Sequence, residues 1–520
     1  MRSLLLFFGL LTAALANAAD NSGTVVLTLH PADTGPTISR HIFGQFAEHL
    51  GRGIYEGIWV GPDSSIPNTR GIRNDVVEAL RALHVPNVRW PGGCFADEYH
   101  WRKGIGPANR RPATLNSNWG GVIEPNTFGT HEFMDFLQQI GAEPYLSVNV
   151  GSGTVQEAAE WLEYLTASQP TALAAERSAN GHPAPFKVPL VGIGNESWGC
   201  GGSMSPEYYL TQLKIYSHFV RNYDPAQTAR KIAVGSDGGN SDYTETIMKA
   251  WQSHGWSWDI DGVSLHYYTV GKWPPSYKAT GFGETEYAAL LKDTWHLEEL
   301  IRSQAAIMDK YDRQKKVSLV VDEWGSWLAP TPGTNPGFLE QQNSQRDAVI
   351  AALDIDIFVR QADRVRMANI AQMVNVLQAM ILTRGNKMIL TPTYHVFRMY
   401  VPFQDATSVP LSFDPDTYVP GDIKLPRVDA VAARDKNGKL WVAVTNADAV
   451  RPLTIQIIAD GEHMLAASGQ TLAAPRIDSV NTFDAPNTVA PQAIAAPAAA
   501  GKITLRVAPA SVTVVAVSDH

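Results

Sequence analysis

From His41 onward the chain alternates short apolar runs, rich in β-branched residues, with longer segments whose apolar positions recur at helical spacing; few folds accommodate that rhythm. Eight strand-then-helix units predict an α/β fold, a (β/α)8 TIM barrel. The strand candidates are 42–48, 87–90, 144–150, 190–195, 231–235, 262–267, 318–322 and, as the eighth, 373–381. Helical periodicity covers 74–83, 130–140, 155–166, 206–223, 243–254, 286–311, parts of 345–370 and 394–399. It stops near Phe403. Short alternating runs at 428–434, 440–444, 453–458, 503–507 and 512–517, with a hairpin signal at Asp435-Lys436-Asn437-Gly438, predict a C-terminal β-sandwich, jelly-roll-like, over 403–520. The alternating run Thr24–His30 is expected to place 19–40 with that sandwich, leaving 41–402 to the barrel. The Ala/Pro-rich stretch Pro486–Ala500 reads as a loop of low complexity.

Before the barrel, Arg2, the apolar Leu4–Ala16 and the small-x-small Ala16-Asn17-Ala18 have the form of a signal peptide over 1–18. An exported protein, periplasmic or extracellular, is the expectation. Asn17 after Ala16 gives no lipid-anchor signal, and no later run is long and apolar enough to span a membrane. A net charge of −9 recommends neither a nucleic-acid nor an anionic-membrane partner. Two cysteines, Cys94 and Cys200, each follow a predicted strand; they could pair or stand as two free thiols. No CxxC or HExxH pattern is present, so neither a metal nor an organic cofactor is expected.

In such a barrel, chemistry belongs at the carboxyl ends of the strands. Two apolar runs there end in glutamate: VPLVGIGNESWGCGG, from Val188, delivers Asn195 and Glu196, and VSLVVDEWG, from Val317, delivers Glu323. Both suit strands covered on two faces. Other strand ends add Glu48, Arg89, His266 to Tyr268 and the neighbourhood of Gln372. Two facing carboxylates, one kept protonated and one ionised, are the equipment for glycoside cleavage, and a retaining enzyme holds them about 5–5.5 Å apart. An amide beside one of them can hold a sugar 2-hydroxyl. Bland readings compete: Glu48 as a rim partner of Arg52, His266 as a satisfied core histidine, Trp324 and Trp327 as packing.

The segments FGQFAEHLGRGIY, VRWPGGCFADEYHW, GIGNESWGCGG and VVDEWGSW together resemble the α-L-arabinofuranosidases of glycoside hydrolase family 51 over nearly the whole chain after the leader. That resemblance implies a retaining exo-glycosidase removing terminal α-L-arabinofuranosyl groups from arabinose-containing plant polysaccharides and oligosaccharides. It implies Glu196 as acid/base and Glu323 as nucleophile. Around the sugar it implies Glu48, Arg89, Asn195 and Tyr268, with His266, Gln372 and the aromatic Trp119. Cys94 falls in the same subsite where many relatives carry Asn, and a thiol is a poor substitute for an amide donor. Homo-oligomers, often hexamers, go with the family. An endo-β-glucanase or xylosidase of the same clan, and a carbohydrate-binding barrel without catalysis, are the alternatives.

Overall fold

The computed structural model describes residues 23–461 and 463–518. Eight parallel strands close into a barrel: Gly44–Phe46, Asn87–Trp90, Glu143–Val148, Leu190–Ile193, Arg230–Ser236, Gly262–Thr269, Ser318–Ser326 and Val365–Ile370. They are called barrel strands 1 to 8 in that order. Every residue of Leu190–Ile193 is buried, as expected of a strand roofed by helices on one side and filled by side chains on the other. The helices are amphipathic. In Val155–Thr166, Ala158, Trp161, Leu162 and Leu165 turn inward, and the Thr154 hydroxyl caps the first turn by accepting from the Glu157 amide.

Two expectations for the barrel strands are corrected. The eighth strand is Val365–Ile370, not 373–381, and the preceding helix stops at Arg360. The stretch after it lies across the barrel mouth, with Asn375 and Leu377 at left-handed φ of 61° and 50°, a conformation no strand sustains. Strand 1 is also shorter than expected, because Arg40–Phe43 forms a 3-10 turn.

The C-terminal sheet has ten strands, and its two halves fold over one core. Val25, Leu27 and Leu29 of the first strand, Thr24–Leu29, meet Val442, Ile455 and Val515 there. That first strand pairs in parallel with Leu453–Ala459. Within the expected loop, Gln492–Ala499 forms a strand instead, paired with Ala466–Leu472 along most of its length. Its alternation is real but written in Ala and Pro, whose small side chains give little hydrophobic contrast.

Two local irregularities aim the chemistry. Just past the end of strand 4 stands Gly194, at φ 88°, where an added Cβ would lie 3.2 Å from the Val150 side chain. The turn sends Asn195 and Glu196 off the strand end, Glu196 itself at φ 36°. In strand 7 the register against strand 8 slips between Val321 and Trp324. A regular strand would point Asp322 and Glu323 to opposite faces; the bulge lets both reach Arg89.

Candidate active site at the carboxyl ends of the strands

Arg89, on strand 2, is buried between the Phe46 and Tyr145 rings. Its Nη1 donates to Glu323 Oε1 at 2.7 Å and its Nη2 to Asn195 Oδ1 at 2.6 Å. The Nε lies 3.4 Å from Asp322 Oδ2, so one cation serves two carboxylates. Tyr268 donates to the other oxygen of Glu323, Oε2, at 2.8 Å.

His266 stands between the two strand-end glutamates. Its Nδ1 is 2.9 Å from Glu196 Oε1 and 3.6 Å from Glu323 Oε2, and its Nε2 is 3.1 Å from Asp322 Oδ1. Burial opposes a charge on this ring, yet Glu323 and Asp322 outweigh it and raise the imidazole from 6.5 to about 10. Burial would raise Asp322, but Arg89 and His266 hold it below the usual carboxylate range. For Glu196, burial comes first and the charge of Glu323 adds to it, so its proton is held more tightly than usual despite the His266 hydrogen bond. An oxygen of Glu196, a ring nitrogen of His266 and an oxygen of Glu323 all lie within 4.8 Å of one another.

These shifts fix a pH window. The His266 cation contributes stability fully below its unfolded value near 6.5 and loses it as pH rises through about 10. Asp322 contributes above its unfolded value and loses it as pH falls through its depressed folded value. The thermal midpoint of the protein is therefore expected to decline between pH 7 and 10, and in His266→Gln that decline should be shallower when both are followed by scanning calorimetry.

Glu48 leaves barrel strand 1 and is buried. Its Oε1 accepts from the Phe95 amide at 3.0 Å and Trp119 Nε1 at 2.8 Å, and its Oε2 from Gln372 Nε2 at 3.1 Å. Burial, then the charge of Glu323, raises it to about 7. Arg52, its bland competitor for a partner, bonds Glu340 instead. Gly93 explains the local sequence: a Cβ there would sit 2.7 Å from Glu48 Oε1. Gly93→Ala should thus push Glu48 out of its hydrogen bonds and lower kcat/KM about 10–100-fold, the cost of one or two charge-assisted bonds. Unchanged steady-state kinetics would show that Glu48 can move without consequence.

Cys94 and Cys200 form a disulfide, so the subsite there presents no S–H at all. A cavity of about 50 Å³ collects Glu48, Cys94, Trp119, Glu196, Tyr268, Glu323 and Gln372, and adds Leu50, Trp327, Leu339 and Leu377. Of the residues expected at the site, Arg89, Asn195 and His266 stand just behind this lining, Arg89 as partner of Glu323, His266 as partner of Glu196 and Asn195 as acceptor from Arg89. Sequence reasoning assigned no role to Asp322 or to Tyr145, whose hydroxyl donates to Asp322 at 2.6 Å. A wider cleft of about 1160 Å³ opens where strands 3 and 4 begin, beside Trp59, His131 and Phe186. It holds neither Glu196 nor Glu323, and we place no glycoside chemistry there.

A parallel eightfold barrel with two carboxylates converging above strands 4 and 7, inside a small aromatic-walled cavity, defines a glycoside hydrolase of the barrel type. Residues 79–273 match the model of the alpha-L-arabinofuranosidase 1 domain, and 322–511 that of the alpha-L-arabinofuranosidase C-terminal domain. An intracellular exo-alpha-L-arabinofuranosidase of Bacteroides ovatus is 45% identical over 490 residues, 94% of each chain. The family 51 arabinofuranosidase structure from Xanthomonas axonopodis pv. citri superposes with a TM-score of 0.93 at 50% identity, covering 95% of this chain and all of that one. The arabinose complex of the Thermotoga maritima alpha-L-arabinofuranosidase gives 0.81 at 31% identity, with 95% and 100% covered. The chain belongs to the α-L-arabinofuranosidases of glycoside hydrolase family 51. One expectation falls here: the Bacteroides relative is named intracellular, which overturns the reading of an exported protein. The expected leader itself lies outside the described residues. Among those residues, no helix is long and apolar enough to cross a membrane.

Proposed function

We propose that the cavity takes one terminal α-L-arabinofuranosyl group of an arabinose-containing plant polysaccharide or oligosaccharide and releases it by double displacement. The observation that carries this is that an oxygen of Glu196 and an oxygen of Glu323 lie within 4.8 Å of one another, which is nearer the separation of about 5–5.5 Å in retaining enzymes than the roughly 6.5–9.5 Å of inverting ones. Glu323 is the nucleophile. It attacks the anomeric carbon while Arg89 and Tyr268 hold its two oxygens. Glu196, kept protonated by burial, gives its proton to the leaving oxygen, then as carboxylate takes one from the water that frees the sugar. Asn195, oriented by Arg89, faces the 2-hydroxyl; Glu48, Trp119 and Gln372 form the far wall.

The closed, small cavity favours exo action over the open groove an endo-glucanase needs. Following products by NMR from the first turnover is the test: free arabinose appearing first as the α anomer supports the reading, and the β anomer overturns it. Glu196→Ala should slow alkyl and sugar arabinofuranosides far more than the 4-nitrophenyl one, which departs without a proton. Equal losses on both would remove Glu196 from the acid role. The homo-oligomer that goes with the family is a separate reading, checked by sedimentation equilibrium of the purified chain.

A further inference from the structure

Glu196 has two unlike oxygens. Oε1 faces His266 Nδ1 at 2.9 Å, and with the ring protonated it accepts there. The acid proton therefore belongs on Oε2. Among the described residues, Oε2 lies against two sulfurs, Cys200 Sγ at 3.4 Å and Cys94 Sγ at 3.9 Å. Joined as a disulfide, neither sulfur carries a hydrogen, so neither can donate. The bridge also fastens the loop after strand 2 to the loop after strand 4 across 106 residues of sequence. Asn195 Nδ2 rests on the same Cys200 sulfur at 3.6 Å, so one covalent link touches both residues that end strand 4.

We propose that the Cys94–Cys200 disulfide is a positioning element of the proton donor: it gives Glu196 Oε2 a wall without donors, and its reduction replaces that wall with two thiols that favour the carboxylate. The proposal rests on the reading of Glu196 as acid/base. A weakly acidic donor is what a neutral-pH glycosidase needs, and burial already pushes Glu196 that way. Two S–H groups at the same sites would solvate the ionised form and work against it. Cys200 is exposed, so a reductant can reach the bridge.

The experiment compares the full chain before and after a water-soluble phosphine. Phosphorus supplies two electrons and leaves as the phosphine oxide with the oxygen of one water, whose two protons go to the sulfurs. Thiol titration verifies the two states. On reduction, the alkaline limb of kcat/KM for an alkyl arabinofuranoside should move to lower pH by about half a unit, roughly a threefold loss on that limb, while the 4-nitrophenyl substrate changes little. Cys94→Ser with Cys200→Ser, which restores donors, should behave as the reduced protein. Cys94→Ala with Cys200→Ala, which removes bridge and donors together, should keep the limb of the oxidised one. If the alanine pair shifts as far as the serine pair, or reduction leaves the limb in place, the proposal is overturned. The reading beneath it fails separately: an alkaline limb that persists in Glu196→Gln would show that another group is the acid, whatever reduction does.

Discussion

Glu323→Ala should fold and yet lose about 10⁴-fold or more in turnover of 4-nitrophenyl α-L-arabinofuranoside, the scale on which removal of a covalent nucleophile is felt. Folding survives because Arg89 keeps Asp322 as a partner and Asn195 as an acceptor, so no buried cation is left alone. The emptied position lies on the face from which the anomeric carbon is attacked. Added azide should enter it and give the β-configured arabinosyl azide, inverted because only one displacement then occurs. Full activity on the aryl substrate without azide would assign the nucleophile elsewhere.

Arg89→Ala should do more damage to the molecule as a whole. The guanidinium is buried and lies against Asp322 and Glu323 while its carbon sits 4.8 Å over the Phe46 ring. Its loss strands two carboxylates that, among the described residues, share only His266 as a remaining cation, at a cost of about 3–5 kcal/mol for a broken buried pair. Calorimetry should show a lower thermal midpoint, and activity should fall with it, since Glu323 and Asn195 both lose the group that aims them. Arg89→Lys should restore part of the stability and little of the activity, because one ammonium cannot reach Asn195 after strand 4 and both carboxylates of strand 7 at once. Parent-like kinetics in the lysine variant would show that charge alone suffices.

The sequence marks the two strand-end glutamates of this cavity by position alone. Glu196 and Glu323 each follow an apolar run in the sequence, which marks both as candidates, although strand 7 itself continues through Asp322 and Glu323 to Ser326. The strand-end pattern points only to the neighbourhood of Gln372 and the family resemblance to the residue itself, while the strand before it is Val365–Ile370. Val365–Ile370 was absorbed into the helix before it because VRMANI carries an arginine and a short apolar run, a pattern that suits either state. Asp322 was overlooked for a different reason. Alternation assigns neighbours in a strand to opposite faces, and only the slipped register above Val321 brings it inward beside Glu323. The strand Gln492–Ala499 escaped because alanine gives no contrast between its two faces. Pairing of Cys94 with Cys200 stayed open, since spacing along a chain does not set the distance between two loops.

The parallel pairing of Thr24–Leu29 with Leu453–Ala459 bears on how the molecule is made. On a ribosome the strand at Thr24 emerges long before its neighbour exists, so the barrel can close while this strand waits with Val25, Leu27 and Leu29 uncovered. A chain stopped between Ile370 and Leu453 keeps every barrel strand and both glutamates but never acquires that parallel partner. Catalytic halves expressed alone would carry a sticky leading edge, and a fusion partner placed at the front would sit beside the last domain to fold.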